Sequence, residues 1–204
     1  MKPKLLCIVG KTASGKDCIV KGAIEKLSQY NIREICSYAD RPMRDGEVDG
    51  IGHYFITTEE FDKLKEERKN DILAYTRIGD NGYQYMALTD ELEKSHIYII
   101  DYIGLKNLKE LHGDSVDIVT VYIHASTISR LQRAEATRSD FHTEFKKRVK
   151  NEEAQFKEFT SLKLYDYKIN NTDGKLDKSI NKLCNIITTE LINSNNSNKL
   201  VIKE

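Results

Sequence analysis

The chain alternates short unbroken apolar runs with longer segments whose apolar residues recur every three or four positions. Leu5-Leu6-Cys7-Ile8-Val9 has no polar break, which predicts a strand buried on both faces, as in a parallel sheet. Ile19, Val20, Ala23, Ile24 and Leu27 follow at helical spacing. Residues 34–38 and 53–56 read as short strands. Thr57 and Glu60 have the spacing of a capping box, opening a short helix that carries Phe61 and Leu64. Residues 72–77 and 82–86 predict a hairpin turning at Gly79-Asp80-Asn81-Gly82. A buried-type strand at 97–100 ends at Asp101, and Leu105, Leu108 and Leu111 mark a helix. A strand at 118–123, a helix from Thr127, a strand at 167–169 and an amphipathic helix through Leu176, Ile180, Leu183, Ile187 and Leu191 complete the pattern. This order predicts an α/β fold, a parallel sheet flanked by helices, with a core at 1–37 and 96–192. A small α+β insertion spans 38–90, and the Asn/Ser run in 193–204 predicts a flexible tail. In such folds ligands sit beyond the carboxyl ends of the strands.

Composition narrows the function classes. The 204 residues suffice for one well-packed domain. Lys plus Arg equal Asp plus Glu at 32 each, which argues against a nucleic-acid-binding surface, although residues 130–150 are locally basic. Cys7, Cys18, Cys36 and Cys184 show no metal-ligand spacing and read as small hydrophobes of a reducing compartment. No apolar run approaches membrane-spanning length, and no room for a signal peptide precedes the first strand. The expectation is a cytoplasmic protein, monomer or homodimer, with no nucleic-acid or membrane partner.

The chemistry begins where the first strand ends. Gly10-Lys11-Thr12-Ala13-Ser14-Gly15-Lys16 is a G-x-x-x-x-G-K loop between a strand and a helix, the context the phosphate-binding P-loop requires. Its backbone N–H groups converge on an anion, the helix N-terminus adds partial positive charge, and Lys16 reaches the outer phosphates. Asp17 departs from the motif, standing where Ser or Thr normally ligates Mg²⁺. A GTPase reading of Asp101-x-x-Gly104 finds neither that Ser/Thr nor an N-K-x-D base reader.

A second motif is more specific. Arg41-x-x-Arg44-x-Gly46-Glu47-x-x-Gly50, preceded by Ser37, closely resembles the guanylate kinase family, and the likeness runs from about residue 4 to 190. The resemblance implies a P-loop nucleoside-monophosphate-kinase fold with a five-stranded parallel sheet and a helical lid at about 134–146. The activity it implies is phosphoryl transfer from ATP, with Mg²⁺, to a nucleoside monophosphate. The implied ATP-binding stretch is Gly10 to Lys16 with Asp17, Cys18 and Asn171; Asp17 and Asp101 are the implied Mg²⁺ residues. Ser37, Arg41, Arg44, Glu47, His53, Tyr54, Tyr83 and Asp101 are the implied acceptor-site residues. Lys16, Arg133, Arg138 and Arg148 are implied to act on the transferred phosphoryl group. Two guanidinium forks suit a phosphate dianion because each binds it in a planar, two-point geometry.

The departures fall on base recognition. The family grips guanine with a carboxylate where this chain has Ala74, and with a Gly-Ser pair where it has Gln84-Tyr85. His53 replaces a phosphate-contacting tyrosine, with Tyr54 adjacent. Arg77, Gln84 or Tyr85 is a substitute reader, or the acceptor base is different. The rival readings are a same-fold kinase for another nucleotide or phosphorylated metabolite, and a catalytically idle binding module of the same fold. Such modules characteristically lose the P-loop lysine, and Lys16 is kept.

Overall fold

The computed structural model describes residues 2–78, 82–137 and 145–193. The elements are β1 (Lys4–Val9), α1 (Lys16–Lys26), β2 (Ser37–Ala39), β3 (His53–Phe55), α2 (Thr58–Glu67), β4 (Ile72–Ile78) and β5 (Tyr83–Leu88). They continue with β6 (Ile97–Ile99), α3 (Tyr102–His112), β7 (Asp117–His124), α4 (Thr127–Thr137), α5 (Lys146–Ser161), β8 (Tyr167–Asn170) and α6 (Leu176–Ile187).

The main sheet runs β6-β1-β7-β8 with every pair parallel. Its central strand explains its own composition. Leu5, Cys7 and Val9 enter one core with α3 and α5, whereas Leu6 and Ile8 enter a second core with α1 and α6. All five are fully buried, so neither face of the strand tolerates a polar residue. The expected second strand of this sheet is much reduced. Glu34 forms an isolated parallel bridge to Ile97, and the Ile35 N–H donates to the Ile97 carbonyl at 2.7 Å. Residues 37–39 then leave for another sheet as β2.

That second sheet, ordered β3-β2-β5-β4, builds the insertion around Phe61, Met86 and Leu88. The Thr57/Glu60 capping box starts α2 as its spacing predicts. Residues 79–81 of the predicted hairpin turn, residues 138–144 of the expected lid and residues 194–204 of the expected tail lie outside the described residues.

Candidate active site

The phosphate loop joins β1 to α1 and is wired to four other segments. Gly10 is a site of close approach: a Cβ there would lie 2.4 Å from the Ile123 carbonyl oxygen. Gly15 adopts φ +88°, and a Cβ there would meet the Asn171 amide at 2.5 Å. Ala13, with φ 58°, holds a left-handed conformation without glycine's freedom, a strained geometry of the kind that clusters at ligand clamps. Lys16 Nζ donates to the Gly10 carbonyl at 2.8 Å, arching back over its own loop. Burial lowers its pKa, opposed by the Asp17 and Glu152 charges.

Several of the expected donor-side residues meet at the loop, with two additions. Asn171 is 4% exposed; its amide N–H donates to the Ser14 carbonyl at 2.8 Å and its amide oxygen accepts from Ser179 Oγ at 3.2 Å. It therefore braces the loop from beneath. Arg133 donates to the same Ser14 carbonyl at 3.2 Å, to the Asn171 carbonyl at 3.0 Å, and to Asp173 at 2.6 Å. Arg148 Nε is buried with no hydrogen-bond partner among the described residues, and its charge reaches Lys16 and Asp101. Cys18 is exposed in the first turn of α1. Arg138 lies outside the described residues. The unpredicted additions are Arg130 and Glu152, which touch Thr12; both sit in charged helical stretches where spacing alone marks no partner. Beside the loop, at the carboxyl ends of β7 and β8, a cavity of about 420 Å³ is lined by His124, Ser126, Ser129, Lys168, Asn170 and Thr172.

The acceptor side centres on Arg41, which is only 4% exposed. Its guanidinium donates to both Glu47 carboxylate oxygens at 2.7 Å, to the Pro42 carbonyl at 2.9 Å, and through Nε to the Tyr85 hydroxyl at 3.1 Å. It also lies 4.9 Å from the centre of the Phe55 ring. Glu47 also accepts from the Arg44 N–H at 2.8 Å, which closes the Arg41–Glu47 turn; the Arg44 side chain is 39% exposed. Strand register decides which neighbours join them. Ser37 pairs with His53 and Ala39 with Phe55, and Ser37 Oγ lies 2.8 Å from His53 Nδ1. Burial, then the Arg41 charge, holds His53 down at about 4, so the ring is neutral. Tyr54 pairs instead with Tyr38 on the opposite face, their rings 5.2 Å apart. His53, and not Tyr54, shares the face of Ser37 and Arg41.

The same alternation sorts the candidate base readers. Thr76 pairs with Tyr85 and Ile78 with Tyr83 on one face of the hairpin, whereas Arg77 pairs with Gln84 on the other. Gln84 is 2% exposed and fully committed: its amide nitrogen donates to Asp40 and Asp62, and its oxygen accepts from the Tyr75 hydroxyl. Neither Gln84 nor Arg77 faces Arg41, so of the three candidate substitutes only Tyr85 does. Ala74, 1% exposed, is absorbed into the core beside Tyr98 and Leu105.

Asp101 joins the two halves. Its Oδ1 caps α3, accepting from the Ile103 and Gly104 N–H groups at 2.8 and 3.0 Å. The same atom accepts from Thr76 Oγ1 of the hairpin at 3.4 Å, and its charge acts on Lys16 of the phosphate loop. Burial raises its pKa above the ordinary carboxylate value. Asp17 is exposed, and its charge reaches Lys16, Glu34 and His53, which places it between the phosphate loop and the Ser37–His53 pair.

The chain is similar to known proteins over most of its length. A sequence model of guanylate kinase matches residues 2–190. The guanylate kinase of Clostridioides difficile is 30% identical over 194 residues, covering 93% of this chain and 89% of that protein. That of Rickettsia felis is 29% identical over 193 residues, covering 93% of this chain and 95% of that protein. Among solved structures, guanylate kinase from Anaplasma phagocytophilum superposes with a TM-score of 0.63, covering 93% of this chain and 86% of that one at 21% identity, a likeness of fold. A phosphate loop with its lysine and a buried arginine facing the same cleft agree with these matches, and the chain belongs to the guanylate kinase family of ATP-using nucleoside monophosphate kinases.

Proposed function

We propose that the chain transfers the γ-phosphoryl group of ATP to a nucleoside monophosphate, GMP among them, with weak discrimination between acceptor bases. The observation that carries the reading is Asp101, which touches the acceptor hairpin at Thr76 and acts on Lys16 of the donor loop. Donor phosphates lie on the Gly10–Lys16 loop, and the 420 Å³ cavity beside Asn171 takes the donor base. Acceptor phosphate lies against Arg41 and Arg44, with Ser37, His53, Glu47 and Tyr83 around it and Tyr54 behind the sheet. Arg41 is the fixed cation; Arg44, being exposed, moves onto the phosphate. Arg133, Arg138 and Arg148 meet the charge of the migrating group. Catalysis is then positioning and electrostatics, with little covalent work for the protein.

Mg²⁺ fits this site. The charges of Asp17 and Asp101 both act on Lys16 of the phosphate loop, and carboxylates beside bound phosphates suit an ion held by phosphates and one or two carboxylates. Asp17 and Asp101 are the residues that would hold it. When bound it neutralises phosphate charge.

Base choice follows from what Ala74 and Tyr85 offer. A buried carboxylate reading the two donors of guanine rejects bases lacking them by roughly 10⁴-fold, because it would be left unpaired. Ala74 has no side-chain polar atom, and Tyr85 already bonds Arg41. A coupled assay over GMP, AMP, dTMP, UMP and CMP measures the outcome. The expected kcat/KM preference for GMP is below about 10³ over at least one other base. A larger preference over every other base overturns the relaxed-selectivity reading, and turnover of none overturns the kinase reading.

A further inference from the structure

Thr12, inside the phosphate loop, is gripped on both sides by a single ion pair. Its N–H donates to both carboxylate oxygens of Glu152, at 3.0 and 2.9 Å, and its carbonyl accepts from Arg130 Nη1 at 3.3 Å. Arg130 Nη1 and Glu152 Oε2 are 3.7 Å apart, with side chains 1% and 14% exposed. The partners come from different helices, Arg130 from α4 and Glu152 from α5. One turn away on the same faces stand Arg133 and Arg148, at i+3 and i−4. Arg133 reaches the Ser14 carbonyl two residues along the loop, and the Arg148 charge acts on Lys16. One turn beyond Glu152, Phe156 lies under Lys11 Nζ at 5.9 Å.

Packing alone does not call for such a pair. Two apolar side chains of similar volume generally stabilise a buried position as well as a desolvated ion pair does. What the charges add is direction: one donor and one acceptor, each matched to one backbone group of Thr12.

We propose that Arg130 and Glu152 are positioning residues. They clamp the phosphate loop between α4 and α5, so that Arg133 and Arg148 meet the donor phosphates in register with Lys16. Neither touches the phosphates in this role. The inference rests on the Gly10–Lys16 loop being the donor site.

The test is a variant series assayed beside the parental chain. Glu152→Ala opens the Thr12 N–H and strands a buried cation. It should lower kcat by about 10²-fold, the scale of a misplacement near 1 Å, and raise the KM for ATP while leaving the acceptor KM within twofold. Glu152→Gln keeps an oxygen for the Thr12 N–H without charge for Arg130, and should recover about tenfold of that loss. The double variant R130M/E152A should be no slower than E152A, because the stranded cation is gone. Circular dichroism and Tm report the folded fraction. A pair that served only stability would scale kcat with that fraction and leave the ATP KM unchanged. That result, a kcat and ATP KM within twofold of the parent for E152A, or fully additive losses in the double variant, overturns the clamp. If the parental chain transfers no phosphoryl group, the donor-site kinase reading fails. The clamp is then judged by ADP binding, expected to be about tenfold weaker in E152A; equal affinities overturn it.

Discussion

The proposed donor and acceptor halves of the cleft are built on opposite plans. The phosphate loop is held by its backbone: Gly10 against the Ile123 carbonyl, Ser14 by Asn171 and Arg133, Thr12 by Arg130 and Glu152. Its shape is fixed by groups any phosphate-binding loop could share. The acceptor half is held by side chains to side chains, Arg41 to Glu47 and Tyr85, Ser37 to His53, Gln84 to Asp40 and Asp62. A loop held through its backbone groups can vary its own side chains and keep those bonds, whereas a side-chain network changes character residue by residue. In the resemblance read from the sequence, the phosphate loop departs at Asp17, and the other departures fall at His53, Ala74, Gln84 and Tyr85.

Breaking the donor half gives the largest effect. Lys16→Ala should lower turnover by roughly 10³-fold or more with an unchanged circular dichroism spectrum, since Lys16 bonds only its own loop's carbonyls among the described contacts. A folded variant of near-parental rate would remove the loop from the catalytic site. On the acceptor side, Arg41→Ala should reduce acceptor kcat/KM by about 10²-fold while the ATP KM stays within about twofold. Arg41→Lys should recover little, because an ammonium cannot bond Glu47 in two parallel contacts. Equal losses toward both substrates would erase the distinction between the halves.

The smallest effect sharpens the contrast through pH. His53 is held at about 4, below its ordinary 6.5, so between those values the unfolded chain binds the proton that the folded chain refuses. Stability therefore falls as pH drops from 6.5 toward 4 and loses nothing more from this group below that. His53→Gln should flatten this part of the Tm–pH curve, as followed by thermal melts from pH 7 to 4.5.

How much of this was readable along the chain depended on range. Signals contained within a few residues survived: the strand–loop–helix context of Lys16, the Thr57/Glu60 cap, and the Arg41–Glu47 spacing that became a bonded turn. Strand periodicity of two held enough information to separate His53 from Tyr54 and Tyr85 from Gln84, once the pairing was known. The pairing itself was not visible. Residues 34–38 have a strand's composition, yet only the Arg33 carbonyl and the Ile35 N–H bond the Ile97 edge before the chain departs into β2. Arg130 and Glu152 carry no local signal, because what they share is the backbone of Thr12, well over a hundred residues away in the chain.

The base of the β4–β5 hairpin carries a last implication. Leu73, Ala74 and Ala87 belong to the same apolar cluster as Tyr98, Leu105 and Leu108, and the Tyr75 N–H donates to Asn107 of α3 at 3.0 Å. The insertion is therefore no separate unit of cooperativity. Melting the hairpin opens the main core, so both should unfold in one transition and the hairpin amides should exchange with solvent only as slowly as those of β1. The turn from Arg41 to Gly50 has no residue in that cluster; Met43 and Val48 are exposed, and the turn is held instead by Arg41 on Glu47 and the Tyr85 hydroxyl, so its outer amides should exchange faster than those of the hairpin.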